Sequence, residues 1–404
     1  MPVSLKEPEI LNSVKGVRLS TACAGLYKNR EDLTLIEIAS GSTSAAVFTK
    51  NVFSAAPVLL ARTHLHDNEP RYCLINSGNA NAGTGERGYK DALITCDVLA
   101  RHSHCKTEEI LPFSTGVIGE YLPTDKITTA YSDLISSLDE DNWLAAARAI
   151  MTTDIIAKGI SRTLTIDGQE VQITGIAKGS GMIRPDMATM LAFIATDASI
   201  ESDLLNNLLG KAVENSFNRI CVDGDTSTND ACVLIASGKS GVSISSDNNS
   251  SIEKMQEGIE SVCITLAQAI IRDGEGATKF ISVKVDGGAS QSECLEIAYD
   301  IATSPLVKTA MFASDPNWGR ILAAVGRSRE GQLTPSTISI FLNELCIIDH
   351  GEKAVGYTEE AGKIEAVKTE IEIGIDLGQG GYCETVWTCD LSHEYVKINA
   401  EYRS

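Results

Sequence analysis

Apolar residues in the first part of the chain occur in short runs separated by polar turns, which is the pattern of strands in a layered domain. Four of these runs are predicted strands: Leu33–Ala39, Ser44–Thr49, Ala56–Ala61 and Tyr72–Asn76. Apolar residues then recur at spacings of three and four, which predicts helices. The predicted helices cover Tyr89–His102, the stretch from Thr124 toward Leu138, and Asn142–Met151.

The centre of the chain predicts a hairpin that leads into a glycine-rich loop. Asp167-Gly168 joins the predicted strands Thr163–Ile166 and Val171–Ile176, because glycine accepts the positive φ of a tight turn. After the loop, Leu191–Thr196 is a continuous apolar run of strand length.

The rest of the chain mixes strands with helices. Its predicted strands are Ile220–Val222, Ala231–Ala236, Lys279–Val285, Thr337–Leu342, Cys346–Asp349, Ile371–Ile375 and Glu384–Leu391. Its predicted helices are Leu204–Phe217, for which Ser202 is the expected cap, Ser251–Arg272 and Cys294–Phe312. Because the two kinds of element are intermixed, the predicted fold class is layered α/β (α+β) with mixed or antiparallel sheets.

Composition narrows the class of protein. With 404 residues, of which 43% are apolar, the chain can bury a large core. Its 34 basic and 54 acidic residues give a net charge of -20, which argues against nucleic acid or an anionic membrane and favours a neutral or cationic small substrate. The 11 cysteines are scattered without a CxxC pair, as is typical of reduced thiols. With no targeting pattern and no apolar run of bilayer length, we expect a cytoplasmic protein.

A glycine motif raises the question of a nucleotide site. The run from Gly83 to Gly88 matches GxGxxG and opens a predicted helix. However, the preceding strand ends near Asn76, and a polar insertion follows it, whereas a dinucleotide fingerprint turns directly off its strand. The phosphate-binding pattern GxxxxGK[ST] is also absent. Gly238-Lys239-Ser240 matches its end, but the position of its first glycine is occupied by Val233. We therefore expect no nucleotide cofactor.

The histidines do not predict a metal centre. His102 and His104 are two residues apart, which separates them across a helix, and His64 and His66 have the same spacing near a predicted strand end. No nearby cysteine or cluster of carboxylates accompanies the pair His64 and His66. We interpret the four as surface residues and expect no metal.

The loop that precedes Leu191 carries the most informative chemistry. Between Lys178 and Thr189, glycines and Pro185 force an irregular path, and the small Ala188 leaves room for the Thr189 hydroxyl to reach the carbonyl before it. The hydroxyl could attack that carbonyl, shift the acyl group from nitrogen to oxygen and be released by water. The new terminal threonine would carry a nucleophile and a base on one residue. A purely structural threonine stays open, because its branched side chain suits the start of a strand.

The run around Thr189 resembles the self-cleavage site of the ornithine acetyltransferase (glutamate N-acetyltransferase) family of arginine biosynthesis. Further segments resemble that family's motifs in the same order: Asn76–Ala82, Ser114–Gly119, Thr152–Asp154, Asp223–Asp230, Asp273–Thr278 and Asp315–Arg320. The resemblance covers essentially the whole chain. It implies the αββα sandwich of self-cleaving N-terminal-nucleophile-like acetyltransferases. It also implies an α chain of residues 1–188, a β chain of residues 189–404, and a heterotetramer of two α and two β chains.

The resemblance implies a ping-pong acetyl transfer. Thr189 would take the acetyl group from N-acetylornithine, with its own freed amine as general base, and glutamate would then accept it. Thr115 and the backbone N–H of Gly116 carry over to the oxyanion hole. No cofactor is implied, and the use of acetyl-CoA as a second acetyl donor stays open.

The family's substrate contacts also carry over. Besides Thr189 they fall on Thr153, Lys178, Glu275, Asn399 and Ser404. Glu275 is the natural partner for the ammonium group of ornithine. The family often ends in threonine, and Ser404 departs from that pattern while keeping the hydroxyl.

Two other functions stay open on the sequence. One is a threonine-nucleophile amidohydrolase or aminopeptidase, in which water accepts the acyl group. The other is a noncatalytic protein that binds a small molecule and keeps the fold.

Overall fold

The computed structural model describes residues 2–184, 190–327 and 333–401, and the chain forms two compact units. The first, here called the amino-terminal unit, comprises Glu7–Asn218 and Asp225–Ile270. The second, the carboxy-terminal unit, comprises Met1–Lys6, Arg219–Gly224 and Ile271–Ser404.

Strands and helices are intermixed along the chain. The strands are β1 (Val17–Ala22), β2 (Leu33–Ile38), β3 (Thr43–Phe48), β4 (Tyr72–Asn79), β5 (Ile110–Val117), β6 (Lys158–Ile166), β7 (Gln169–Lys178), β8 (Leu191–Thr196), β9 (Ser199–Ile200), β10 (Ile220–Cys221), β11 (Ala231–Ala236), β12 (Ser243–Ile244), β13 (Phe280–Gly288), β14 (Ser339–Leu342), β15 (Leu345–Asp349), β16 (Glu352–Lys353), β17 (Glu370–Asp376) and β18 (Tyr382–Cys389). The helices are α1 (Ala56–Asp67), α2 (Gly85–Ser103), α3 (Thr124–Thr129), α4 (Tyr131–Ser136), α5 (Trp143–Ala149), α6 (Ser202–Glu214), α7 (Asn249–Arg272), α8 (Gln291–Ala302), α9 (Pro305–Phe312), α10 (Trp318–Val325), α11 (Glu359–Ala366) and α12 (His393–Ala400). None of the helices in the described ranges has the length and apolar content that a membrane crossing requires.

Two sheets of the amino-terminal unit pack face to face. One has the strand order β1-β2-β4-β5 and the other the order β3-β11-β8-β7-β6. Because side chains alternate along a strand, Ile36 of β2 joins the core between the sheets, whereas Leu35 joins a second cluster on the opposite face. Across the inner core, the rings of Phe113 and Phe193 meet edge to face with centroids 5.1 Å apart.

Helices cover both outer faces of this pair of sheets. Helix α2 packs Cys96 against a cluster that includes Leu74 of the four-stranded sheet. Helix α7 lies against Gly175 of β7, where an added Cβ would stand only 2.8 Å from Val262 Cγ1. Strand β8 runs parallel to β11 and antiparallel to β7. The layers are therefore those of an αββα sandwich with mixed strand pairing, which confirms the predicted fold class.

The carboxy-terminal unit is built on one mixed sheet of strand order β10-β18-β13-β17-β14-β15-β16. Strand β13 pairs parallel with β17 and antiparallel with β18. Its core joins Val283 and Ile373 of the sheet to Ile297 and Met311 of helices α8 and α9.

Three predicted elements are wrong in type or extent. The run Ala56–Ala61 begins helix α1 rather than forming a strand, because Pro57 at its first turn lacks the N–H that a helix start leaves unused. The stretch from Thr124 forms two short helices that meet at Ala130. The helix over Cys294–Phe312 is interrupted before Pro305, where the Ser304 side chain accepts the N–H of Val307 as a new cap.

His64 is a further correction, since it is buried in α1 rather than lying on the surface. Its Nδ1 lies 2.7 Å from the carbonyl oxygen of Ile110 at the start of β5. The ring therefore ties the helix to the sheet.

The tight contact between α7 and β7 generates a stability prediction. We expect Gly175→Ala to lower the free energy of unfolding by about 1–3 kcal/mol, because the new methyl group overpacks the contact with Val262. Gly210→Ala is the matched control: Gly210 is exposed on α6, with no atom within 4 Å of an added Cβ. It should raise stability by about 0.5–1 kcal/mol through helix propensity. Thermal unfolding followed by circular dichroism measures both, and a shift of the same sign would contradict this packing.

Candidate active site

The loop between β7 and β8 holds the predicted cleavage site. The two strands are antiparallel neighbours, and Lys178 at the end of β7 pairs with Leu191 at the start of β8. Pro185–Thr189, and so both Ala188 and the predicted nucleophile, lie outside the described residues, as does Ser404. What the structure places are the two ends of the loop and the strands around them.

A buried carboxylate holds the first end of the loop. Asp154 Oδ1 accepts the N–H of Gly179 at 2.7 Å and lies 2.6 Å from Lys158 Nζ. Neither side chain of this ion pair has exposed surface. Burial alone would raise the pKa of Asp154, but the nearby ammonium groups of Lys158 and Lys178 hold the pKa well below its usual value. Asp154 is therefore a charged anchor for the loop.

Two predicted substrate contacts border the same end of the loop. Lys178 is the last residue of β7 and is only 2% exposed. Thr153 Oγ1 lies 2.7 Å from Ser180 Oγ, so its hydroxyl links the turn before Asp154 to the loop. The structure thus brings Thr153 and Lys178 to one place in the amino-terminal unit.

The predicted oxyanion residues lie in β5, where it approaches β4. Gly116 has φ +134°, and an added Cβ would stand 2.3 Å from the carbonyl carbon of Gly78. Thr115 is 4% exposed and pairs with Ser77. The close approach of β5 to β4 explains why residue 116 is glycine, since a residue with a side chain does not fit there.

Asn229 connects this strand to the segment before β11. Its Nδ2 donates to the carbonyl oxygen of Ser114 at 2.9 Å and to that of Ala80 at 2.6 Å. Asn229 is buried, and its two bonds fix the backbone immediately before Thr115. The next residue, Asp230, reaches the other end of the loop.

Asp230 holds the residue that directly follows Thr189. The N–H of Met190 donates to Asp230 Oδ1 at 2.9 Å, and the N–H of Ala231 donates to the Met190 carbonyl at 3.2 Å. Burial raises the pKa of the Asp230 carboxyl well above its usual value, while the charge of Lys178 and the N–H of Met190 act in the opposite direction. Sequence reasoning placed Asp154, Asn229 and Asp230 inside motifs but gave them no role. The signal that could have identified Asp230 is its place directly before the fully apolar strand β11.

The carboxy-terminal unit contains the other predicted substrate contacts. Asn399 Nδ2 donates to Glu275 Oε2 at 2.7 Å. Asn399 lies on α12, so it is not part of a frayed tail. Gly276 has φ +69°, and an added Cβ would lie 2.5 Å from the Tyr395 nitrogen, so a glycine lets this helix pack closely beside Glu275. The structure therefore brings Glu275 and Asn399 together.

The GxGxxG run has a packing explanation. A Cβ at Gly88 would lie 1.8 Å from Thr84 Oγ1 and 2.5 Å from Asn81 Oδ1, so the glycine makes room for the Thr84–Asn81 hydrogen bond. Among residues 2–184, 190–327 and 333–401, no group of three or more His, Cys, Asp or Glu side chains could hold a metal ion.

Comparison with known proteins connects these features to one family. The family model described as ArgJ matches residues 18–404. The chain is 52% identical to the arginine biosynthesis bifunctional protein ArgJ of Pseudomonas fluorescens (strain Pf0-1) over 406 residues, covering 100% of both chains. It is 50% identical to the protein of that name from Pseudomonas syringae pv. tomato, with the same coverage. The crystal structure of the bifunctional protein argJ from Bacillus halodurans is 37% identical, covers 50% of this chain and 95% of its own, and has a TM-score of 0.48. The match to the family model and to full-length relatives shows that this chain belongs to the ArgJ family.

Proposed function

We propose that this protein is an acetyltransferase of arginine biosynthesis that moves the acetyl group of N-acetylornithine to glutamate, giving ornithine and N-acetylglutamate. The observation that carries the proposal is the 52% identity, over the full length of both chains, to a protein named as an arginine biosynthesis bifunctional protein. The anchored loop that contains Ala188 and Thr189 supports it. We propose that the second function is acetylation of glutamate by acetyl-CoA, with no resident cofactor.

The first chemical step of the proposal is self-cleavage. Thr189 Oγ attacks the carbonyl carbon of Ala188, the bond from that carbon to the Thr189 nitrogen breaks, and the nitrogen takes up a proton. Water then hydrolyses the resulting ester. The products are an α chain that ends at Ala188 and a β chain that begins at Thr189. The anchors at Gly179 and Met190 support this step, because they fix the chain on both sides of the reacting bond.

Acetyl transfer uses the same oxygen. The α-amine of Thr189 accepts the Oγ proton as Oγ attacks the acetyl carbonyl of N-acetylornithine. The oxyanion is stabilised by Thr115 and by the N–H of Gly116, and ornithine leaves with the proton. The amine of glutamate then attacks the acetyl ester and restores the hydroxyl of Thr189. Loss of one oxyanion donor in such a site costs about 3–4 kcal/mol of transition-state stabilisation.

Charge decides how the substrates are held. Lys178 is a buried cation at the first end of the loop, and we propose that it pairs with a substrate carboxylate. Glu275 pairs with the side-chain ammonium of ornithine, and the amide of Asn399 orients it. Thr153 and Ser404 contribute hydroxyl groups. We further propose that two α and two β chains assemble into a heterotetramer in the cytoplasm.

The role of Thr189 predicts a coupled loss of two activities. Thr189→Ala should abolish both cleavage and acetyl transfer, because it removes the one oxygen that performs both reactions. Thr189→Ser keeps a hydroxyl and should retain part of each. A denaturing gel, with a transfer assay on the same samples, measures both. Fully active wild-type protein that runs only as the intact 43.1 kDa chain would contradict self-cleavage.

The acyl acceptor separates the proposed transferase from a hydrolase. With N-acetylornithine as donor, ornithine should form at a sustained rate only when glutamate is present, because the acetyl group otherwise stays on the enzyme. Acetyl-CoA with glutamate should also yield N-acetylglutamate. Sustained release of acetate without glutamate would favour the amidohydrolase, and ligand binding without any turnover would favour the noncatalytic protein.

A further inference from the structure

Met190 is held on both sides by the segment that precedes β11. Its N–H donates to Asp230 Oδ1 at 2.9 Å, and its carbonyl accepts the N–H of Ala231 at 3.2 Å. Met190 and Asp230 are each 1% exposed. The N–H of Met190 therefore has a hydrogen-bond partner that is shielded from solvent.

A carboxylate is a costly choice for this contact. Removing a carboxylate from water is unfavourable, and the charge of Lys178 and the N–H of Met190 act against that loss. The parallel pairing of β8 with β11 already sets the position of Leu191 opposite Ala231. The side chain of Asp230 adds a hydrogen bond at Met190, the one residue between Thr189 and β8.

Covalent geometry carries this constraint to Thr189. A peptide group is planar, and the N–H of Met190 shares its plane with the carbonyl group and the Cα of Thr189. When Asp230 holds the N–H of Met190, it therefore restrains the peptide group that joins Met190 to Thr189. From that peptide group, two torsions of Thr189, ψ and χ1, set the direction of Oγ.

We propose that Asp230 is a positioning residue for Thr189, which acts by holding the N–H of Met190 in both self-cleavage and acetyl transfer. This inference rests on the proposed function. Asp230 touches neither substrate nor the reacting atoms in this account. It acts through the peptide group that joins Thr189 to Met190.

A matched control lies at the other end of the same strand. Asp197 follows β8, is 4% exposed, and its Oδ1 accepts the N–H of Gln172 at 2.9 Å. Burial raises the pKa of this carboxyl as well. Asp197 therefore matches Asp230 in burial and bonding but holds a peptide far along the chain from Thr189.

The test compares leucine and asparagine at both positions in the full-length protein. Asp230→Leu keeps the approximate shape but removes the acceptor, so cleavage and the kcat per cleaved chain should each fall by about 100-fold. The KM for N-acetylornithine should change less than the kcat, because Asp230 contacts no substrate in this account and affects the proposed substrate contact Lys178 only through its charge. Asp230→Asn retains an acceptor oxygen for the same N–H and should stay within about tenfold of wild type. Asp197→Leu and Asp197→Asn should leave the kcat per cleaved chain within about twofold of wild type.

Equal kcat and cleavage in Asp230→Leu and Asp197→Leu would overturn the proposal, as would a raised KM with an unchanged kcat. If either leucine variant lacks a thermal transition, Asp230→Ala and Asp197→Ala make the same comparison with a smaller side chain. The wild type is assayed in parallel. Failure of the wild type to cleave and transfer refutes the proposed function itself, and is thereby distinguished from failure of the role of Asp230.

Discussion

The buried carboxyl groups that hold the two ends of the β7–β8 loop are the constraint on which the site depends. Asp154 anchors Gly179 and is paired with Lys158, while Asp230 anchors Met190. Lys178 acts electrostatically on both carboxylates. Removing these carboxyl groups from water costs free energy, several kcal/mol for an ionised one, so the set persists only where charges and hydrogen bonds compensate for the loss. Such compensating contacts are present at both ends of the loop that contains the bond proposed to be cleaved.

The sandwich provides the rigid surroundings that such a set needs. All six residues of β8 are buried, and so are all six of β11, which fixes the position of the loop's second end. Asn229 then links the start of β11 to β5, where Thr115 and Gly116 lie. Reacting groups held by strands and backbone hydrogen bonds are positioned more accurately than groups on free loops. The fold thus connects the strand of the predicted oxyanion residues to the loop of the predicted cleavage site through the consecutive residues Asn229, Asp230 and Ala231.

Sequence patterns predicted the elements that carry the site but not the contacts between them. Leu191–Thr196 and Ala231–Ala236 match β8 and β11 because continuous apolar runs of that length are typical of fully buried strands. The apolar run at Ala56 predicts a strand, because a short apolar run does not distinguish a strand from a buried helix. The structure has a helix there, and Pro57 lies in its first turn. Asp154 and Asp230 received no role because their partners lie 25 and 40 residues away along the chain. Only the fold brings such pairs together. Thr189, Ala188 and Ser404 remain predictions that rest on the family resemblance.

The central claim is that the acetyl group passes through Thr189. Intact-mass spectrometry of the purified protein with N-acetylornithine, in the absence of glutamate, tests it most directly. The account predicts that the β chain, residues 189–404, gains the mass of one acetyl group, that fragmentation places the group on Thr189, and that added glutamate removes it. A β chain of unchanged mass during active turnover, or an acetyl group on another residue, would contradict the account.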